Sequence, residues 1–221
     1  MITFDNSATF SQSGASVFVN LPLTVASDAT LLITAICNSP DSAPSVKVNS
    51  TYAMNLLAND RYNSLYGISV FYLFNPPTGS VSVHYEKPGG FFGVTNPAII
   101  LASYKGTTSL GTSVQDQEIP LSIGTTYTLT PTSKVNDLVL HFSGLYYASN
   151  TPTITYATGE SLRVQSAVMT NWISVTEKAG AATSTTVSVN FADNGTSYLF
   201  DVAVALSNPI ITSNANFFPF F

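Results

Sequence analysis

Charge is what this chain has least of. Lys, Arg, Asp and Glu make up 9% of the 221 residues, against about 25% in an ordinary soluble domain. The seven cations, Lys47, Arg61, Lys87, Lys105, Lys134, Arg163 and Lys178, stand singly. Nucleic-acid binding needs Lys and Arg gathered on one face, so direct contact with a genome is not expected. A surface so poor in charge suits a protein that covers much of itself with neighbours. Cysteine is nearly absent too. Cys37 is the only one, which excludes an intramolecular disulfide. It ends the apolar run Leu31 to Cys37, with no neighbouring cation or histidine to activate a thiol, and is expected to be a buried small hydrophobe. No apolar run approaches the ~20 residues of a membrane span. The opening Met1-Ile2-Thr3-Phe4-Asp5 lacks the basic and apolar regions of a signal peptide, so a soluble product made in the cytoplasm is expected.

Catalytic signatures are missing as well. There is no Gly-x-Ser-x-Gly, no phosphate-binding loop and no dinucleotide fingerprint. Lys87-Pro88-Gly89-Gly90-Phe91-Phe92-Gly93 is glycine-rich but leads into no helix, and reads as a loop bearing an aromatic pair. Asp193-Asn194-Gly195-Thr196 lacks the alternating ligands and distal Glu of a calcium loop and reads as a hairpin turn. The two histidines, His84 and His141, fall on expected strands at outward polar positions, with Glu86 the nearest carboxylate in sequence. No catalytic residue, metal ligand or cofactor is expected, and the chain is not read as an enzyme.

What the chain does have is strands. Ser16 to Leu21, Ser80 to Tyr85 and Thr186 to Phe191 alternate apolar and polar residues, the period of a half-buried strand. Leu31-Leu32-Ile33, Ile99-Ile100-Leu101 and Val202 to Leu206 are continuous apolar runs, which suit strands covered on both faces. Gly, Pro and Asn punctuate them. No helix is expected beyond a short turn or loop over Ala53 to Asp60.

The chain also repeats. Leu31-Leu32-Ile33 returns as Leu138-Val139-Leu140, at an offset of 107 (138 − 31). Ile68-Ser69-Val70 returns as Ile173-Ser174-Val175, and Val81-Ser82-Val83 as Val187-Ser188-Val189. Gly14 to Pro22 resembles Gly124 to Pro131. In this register His84 matches Asn190, and His141 matches Thr34. Ordered landmarks at a near-constant offset mean two copies of one unit, joined in the Thr- and Ser-rich stretch near Gly106 to Gln117. Short strands at this spacing indicate an all-β fold of two tandem antiparallel β-sandwich domains. With one Trp and one Cys, the immunoglobulin pattern is missing, and the jelly-roll type is preferred. The expected division is a first jelly-roll domain over 1–107, a second over 118–207, and an aromatic tail over 208–221.

That tail joins a polar spacer, Asn208 to Asn216, to Phe217-Phe218-Pro219-Phe220-Phe221. Its four phenylalanines are expected either to tuck against their own sandwich or to dock on another subunit. Asn49-Ser50-Thr51 and Asn194-Gly195-Thr196 are sequons, making Asn49 and Asn194 candidate glycan attachment sites.

Through its repeat landmarks the whole chain resembles the turret proteins of archaeal turreted icosahedral viruses. The resemblance implies tandem jelly rolls standing on capsid vertices, no enzymatic activity, and a location at the virion surface. It implies other virion subunits as partners, a homo-oligomer, and a possible host surface receptor. A second class shares the same fold signals: a carbohydrate-binding or adhesin-type β-sandwich module. Its aromatic platform would come from Tyr146, Tyr147 and Trp172.

Overall fold

The computed structural model describes residues 1–12, 18–37, 44–62, 66–86, 97–118, 124–146, 153–168, 171–192 and 198–208. These residues are all-β, and every strand pairing among them is antiparallel. The first half supplies β1 (Thr3–Ser11), β2 (Phe18–Val25), β3 (Ala29–Cys37), β4 (Ser45–Val48), β5 (Tyr52–Ala53), β6 (Asn55–Tyr62), β7 (Tyr66–Phe74), β8 (Gly79–Glu86) and β9 (Ala98–Lys105). They form a large sheet in the order β1-β9-β3-β7-β6 and a small one in the order β2-β8-β4-β5. The second half supplies β10 (Ser109–Leu110), β11 (Val114–Glu118), β12 (Thr126–Leu129), β13 (Leu138–Tyr146), β14 (Thr153–Tyr156), β15 (Ser161–Val168), β16 (Asn171–Ala179), β17 (Val187–Ala192) and β18 (Tyr198–Ser207). Its large sheet runs β10-β18-β13-β16-β15, with β11 also on β18, and its small sheet runs β12-β17-β14.

The second order follows the first, with β10 and β11 together in the place of β1 and no counterpart of β5. Even the irregularity recurs, because a register shift falls between Leu56 and Ala58 on β6 and between Leu162 and Val164 on β15. That shift corrects one expectation. Ala53 to Asp60 is mostly strand β6, paired along β7; the extra bulge residue breaks the alternation that would have shown it. A second correction concerns register. Leu23 pairs with Val81, and Leu129 with Val187, so Leu23 corresponds to Leu129. Pro22 therefore corresponds to Thr128, not to Pro131. The stretch read as a joint contains β10 and most of β11, both paired to β18.

Packing explains the apolar runs. One core lies between the first half's two sheets and includes Leu21, Leu32, Ile36, Val83 and Ile99. The largest core draws on both large sheets: Leu31, Ile33, Ile68 and Ile100 from the first half, with Leu140, Phe142, Ile173 and Val202 from the second. The large sheets thus pack face to face, and their central strands are covered on both sides. Repeat-equivalent residues meet at this contact. A Cβ on Gly144 would lie 3.2 Å from the sulfur of Cys37, the residue that Gly144 replaces in the repeat. Cys37 is buried there, as expected, with its sulfur 3.5 Å from the Leu145 carbonyl oxygen.

The contact between large sheets holds one poorly placed charge. Asp60 corresponds to Ser166, whose hydroxyl donates to the Phe10 carbonyl at 3.1 Å. Asp60 is buried with Oδ2 unpartnered. Burial, with repulsion from Asp116 and Asp201, pushes its carboxyl up to about 6. Between the ordinary carboxylate value and 6 the folded chain keeps a proton that the unfolded chain has released, so stability falls as pH rises through that window. Asp60→Ser is expected to stabilise the fold at pH 7 by on the order of 1–3 kcal/mol, with the gain vanishing near pH 4. Urea titrations at the two pH values measure this, and an equal gain at both would refute it.

Candidate functional site

The second half departs from the first inside its own sandwich. Five positions that are mostly apolar in the first half carry polar groups in the second. Thr34, Ile36, Met54, Phe71 and Ile99 correspond to His141, Ser143, Glu160, Thr176 and Asp201. The first-half residues are buried, and all but Thr34 belong to one continuous apolar core. In the second half the core is split into two smaller clusters, one around Trp172 and Phe191 and one around Val139 and Val187.

His141 sits at the centre of this polar layer and is 1% exposed. Strand β13 carries it beside Ser143 on one face, and β18 brings Asp201 alongside. Its Nδ1 lies 3.3 Å from Glu160 Oε2, and its Nε2 lies 3.4 Å from Asp201 Oδ1. The Ser143 hydroxyl is 3.2 Å from Nε2. Glu160 is held from three sides, accepting from the Thr176 hydroxyl at 2.6 Å and the Ser188 amide at 2.7 Å as well as from the imidazolium. Burial opposes a charged imidazole, but the Asp201 and Glu160 carboxylates beside the ring outweigh it and hold the His141 pKa at about 9. Burial likewise pushes Glu160 up, and its bonds to His141, Thr176 and Ser188 more than offset this, leaving it below the ordinary value. The group is an imidazolium clamped between two carboxylates.

This overturns the outward slot expected for His141. The signal was present in the sequence, since the Phe71-to-Thr176 exchange follows directly from the Ile68–Ile173 landmark. Reading it required knowing that both faces of the large sheet are covered. His84 does occupy the polar face of β8, with Nδ1 2.7 Å from Asn20 Oδ1. The Ser143–His141–Glu160 connectivity resembles a hydroxyl–imidazole–carboxylate relay. Ser143, however, is fully buried among the described residues. The carboxylates engage opposite nitrogens of one ring and do not converge on a common point. No group of three or more His, Cys, Asp or Glu among the described residues is arranged to hold a metal ion.

The aromatic platform expected from Tyr146, Tyr147 and Trp172 does not form as read. Trp172 is buried, edge-on to Phe191 at 5.7 Å, and Tyr147 lies outside the described residues. Tyr146 instead stacks on Tyr66 at 4.0 Å, and Tyr66 on Tyr198 at 5.2 Å. This tyrosine cluster, completed by Tyr62 on Tyr198 at 5.6 Å, joins the two halves at one end of the large-sheet contact. Asn49 is exposed at the turn after β4, its side-chain oxygen accepting from the Ser82 amide at 2.9 Å. Asn194 and the tail residues Phe217, Phe218, Phe220 and Phe221 lie outside the described residues.

Among the described residues, the opposite end of the contact is open. A groove of about 940 Å³ runs between the start of β1 and the turn before β13, and Asn208, the last described residue, forms part of its rim. No family model, no curated protein and no solved structure matches this chain.

Proposed function

We propose that this chain is a tandem jelly-roll structural subunit of a virion, displayed at the particle surface and acting by assembly. The observation that carries this reading is the threading of each half. In the first half, strands one, nine, three and seven share the large sheet, and two, eight, four and five share the small one. The chain crosses repeatedly between sheets, as in two interlocked Greek keys, the jelly-roll pattern. The second half repeats that order, which supports a division into two units. Because the large sheets cover each other, both small sheets and the sheet edges remain as outward surfaces for neighbours. The low charge favours such a role, since few ions must be desolvated at subunit contacts. The polar layer around His141 is buried among the described residues and serves as an internal clamp between sheets.

Antibodies raised against the purified chain are expected to decorate the surface of particles whose genome encodes it. In sedimentation, the purified chain is expected to form a closed oligomer of defined mass. Absence of the chain from purified particles would remove the virion reading, and a strict monomer at high concentration would remove the assembly reading.

A further inference from the structure

We propose that the face between the two large sheets is a two-fold pairing surface that also takes a second copy of this chain, two chains exchanging their second halves across the hinge at 106–108. The inference rests on the assembly reading above and names the contact by which copies join.

The contact between the halves is reciprocal. By their order in the sheets, β1, β9, β3, β7 and β6 correspond to β10 with β11, β18, β13, β16 and β15. Across the contact β1 lies against β15 and β6 against β11, β9 against β16 and β7 against β18, while β3 lies against β13 in the middle. Exchanging the halves turns each of these contacts into another of the set, and the middle one into itself. Such reciprocity is that of an isologous, two-fold contact, the kind that joins identical subunits. Cys37 and its counterpart Gly144 meet where the axis passes.

The two faces are nonetheless fitted to unlike partners. Ala35, Ala98 and Ala102 correspond to Phe142, Phe200 and Val204, and all six belong to the one core. Two first-half faces would leave voids where the phenylalanines now sit, and two second-half faces would crowd. Each face therefore takes the opposite half and rejects its own kind. The opposite half of a second chain meets that requirement as fully as its own does.

The hinge decides which chain supplies it. β9 ends at Lys105 and β10 begins at Ser109, so only 106–108 pass from one half to the other. Gly106 turns the chain with a φ of 74°, and a Cβ there would come 2.6 Å from the Met1 carbonyl oxygen. Thr107 donates its amide to the Thr30 hydroxyl of the first half at 2.8 Å, and Thr108 donates its amide to the Ser207 carbonyl of the second at 2.9 Å. Glycine adopts turned and extended forms with similar ease, and short hinges are where identical chains swap elements. Exchange replaces the core contacts like for like, so its balance is set by the hinge and by concentration. A short link holds the chain's own half at an effective concentration in the millimolar range, which copies packed side by side in an assembly match.

The test uses the full chain with Gly144→Cys. A Cβ at Gly144 lies 3.6 Å from the Cys37 Cβ, inside the roughly 3.5–4.5 Å that a disulfide spans, so oxidation with diamide records which chain supplied each half. The variant is unfolded in urea, refolded dilute or concentrated, oxidised, and run on a denaturing gel without reductant. The dilute sample is expected to give single chains crosslinked within themselves. The concentrated sample is expected to give mainly two-chain species that reductant separates, and Gly144→Cys with Cys37→Ala is expected to give none. A second measurement leaves the contact itself untouched. Wild type refolded at high concentration is expected to sediment as a dimer, and Gly-Ser repeats inserted after Thr108 are expected to lower its dimerisation constant tenfold or more. If the concentrated variant crosslinks only within single chains while wild type still associates, exchange is wrong and assembly proceeds through another surface. If the lengthened hinge associates as wild type does, the hinge is not the exchanging element and the proposal is again wrong. If every form stays monomeric, the assembly reading fails along with this one.

Discussion

Replacing His141 by alanine is expected to lower the unfolding free energy by about 3–5 kcal/mol, the usual cost of removing one partner from a buried ionic group. The side chain lies between Glu160 and Asp201, both within 3.4 Å of its ring. Without the imidazolium, two buried carboxylates lose their cation and a side-chain-sized void opens beside them. The first half shows how the same backbone is filled without charge. Copying its residues into the second half, as His141→Thr, Ser143→Ile, Glu160→Met, Thr176→Phe and Asp201→Ile together, is expected to give a fold at least as stable as wild type. Apolar replacement of buried ion pairs is neutral or stabilising by about 1–4 kcal/mol where packing is good. Urea unfolding of the wild type, the alanine variant and the fivefold variant decides it. A fivefold variant less stable than His141→Ala would mean that the two halves are not interchangeable at these positions, and the equivalence drawn here would be wrong.

The same clamp is expected to make stability fall as pH rises from about 6.5 to about 9. The folded pKa of His141 is raised to about 9, above the ordinary imidazole value near 6.5. Across that window the folded chain holds a proton that the unfolded chain does not. The stabilisation is complete below about 6.5 and is lost as pH climbs through the folded pKa, by on the order of a few kcal/mol. Glu160 acts with the opposite sign. Its folded pKa is lowered, so its contribution is present above the ordinary carboxylate value and is lost as pH falls through the folded one. Asp60 adds a loss between the carboxylate range and about 6. From these three groups, the stability maximum is placed on the acid side, near pH 4–5. Thermal midpoints from pH 3 to 10 measure the profile. The alkaline slope is expected to disappear in the fivefold variant. A slope that survives there would show that another group controls it.

Much of the fold was legible in the sequence because strand pairing leaves a local signature. Val81-Ser82-Val83 and Val187-Ser188-Val189 alternate because β8 and β17 each turn their apolar residues to one face, although Ser188 is buried on the other, and side chains alternate across a strand. The landmarks at Leu31 and Leu138, Ile68 and Ile173, and Val81 and Val187 recur because each half places them at matching positions in its sheets. Where the pattern is interrupted, reading failed. The bulge after Leu56 hid β6, and two prolines separated by nearly the repeat offset, Pro22 and Pro131 (131 − 22 = 109), suggested a register that the pairing of Leu129 with Val187 excludes.

By itself, then, the sequence determined the all-β class and most of the strands, since each depends on residues near one another in the chain. It also pointed to the burial of Cys37. The tertiary structure alone decided that the two large sheets cover each other. Once both faces of a sheet are buried, alternation no longer separates core from solvent, so a polar residue on β13 reads like any outward one. Only the approach of Glu160 from the end of one loop and of Asp201 from a strand 60 residues beyond His141 (201 − 141) turns that residue into an enclosed cation. The open groove beside Val135 was equally hidden, because it is formed by segments from the two halves of the chain, which the sequence keeps far apart.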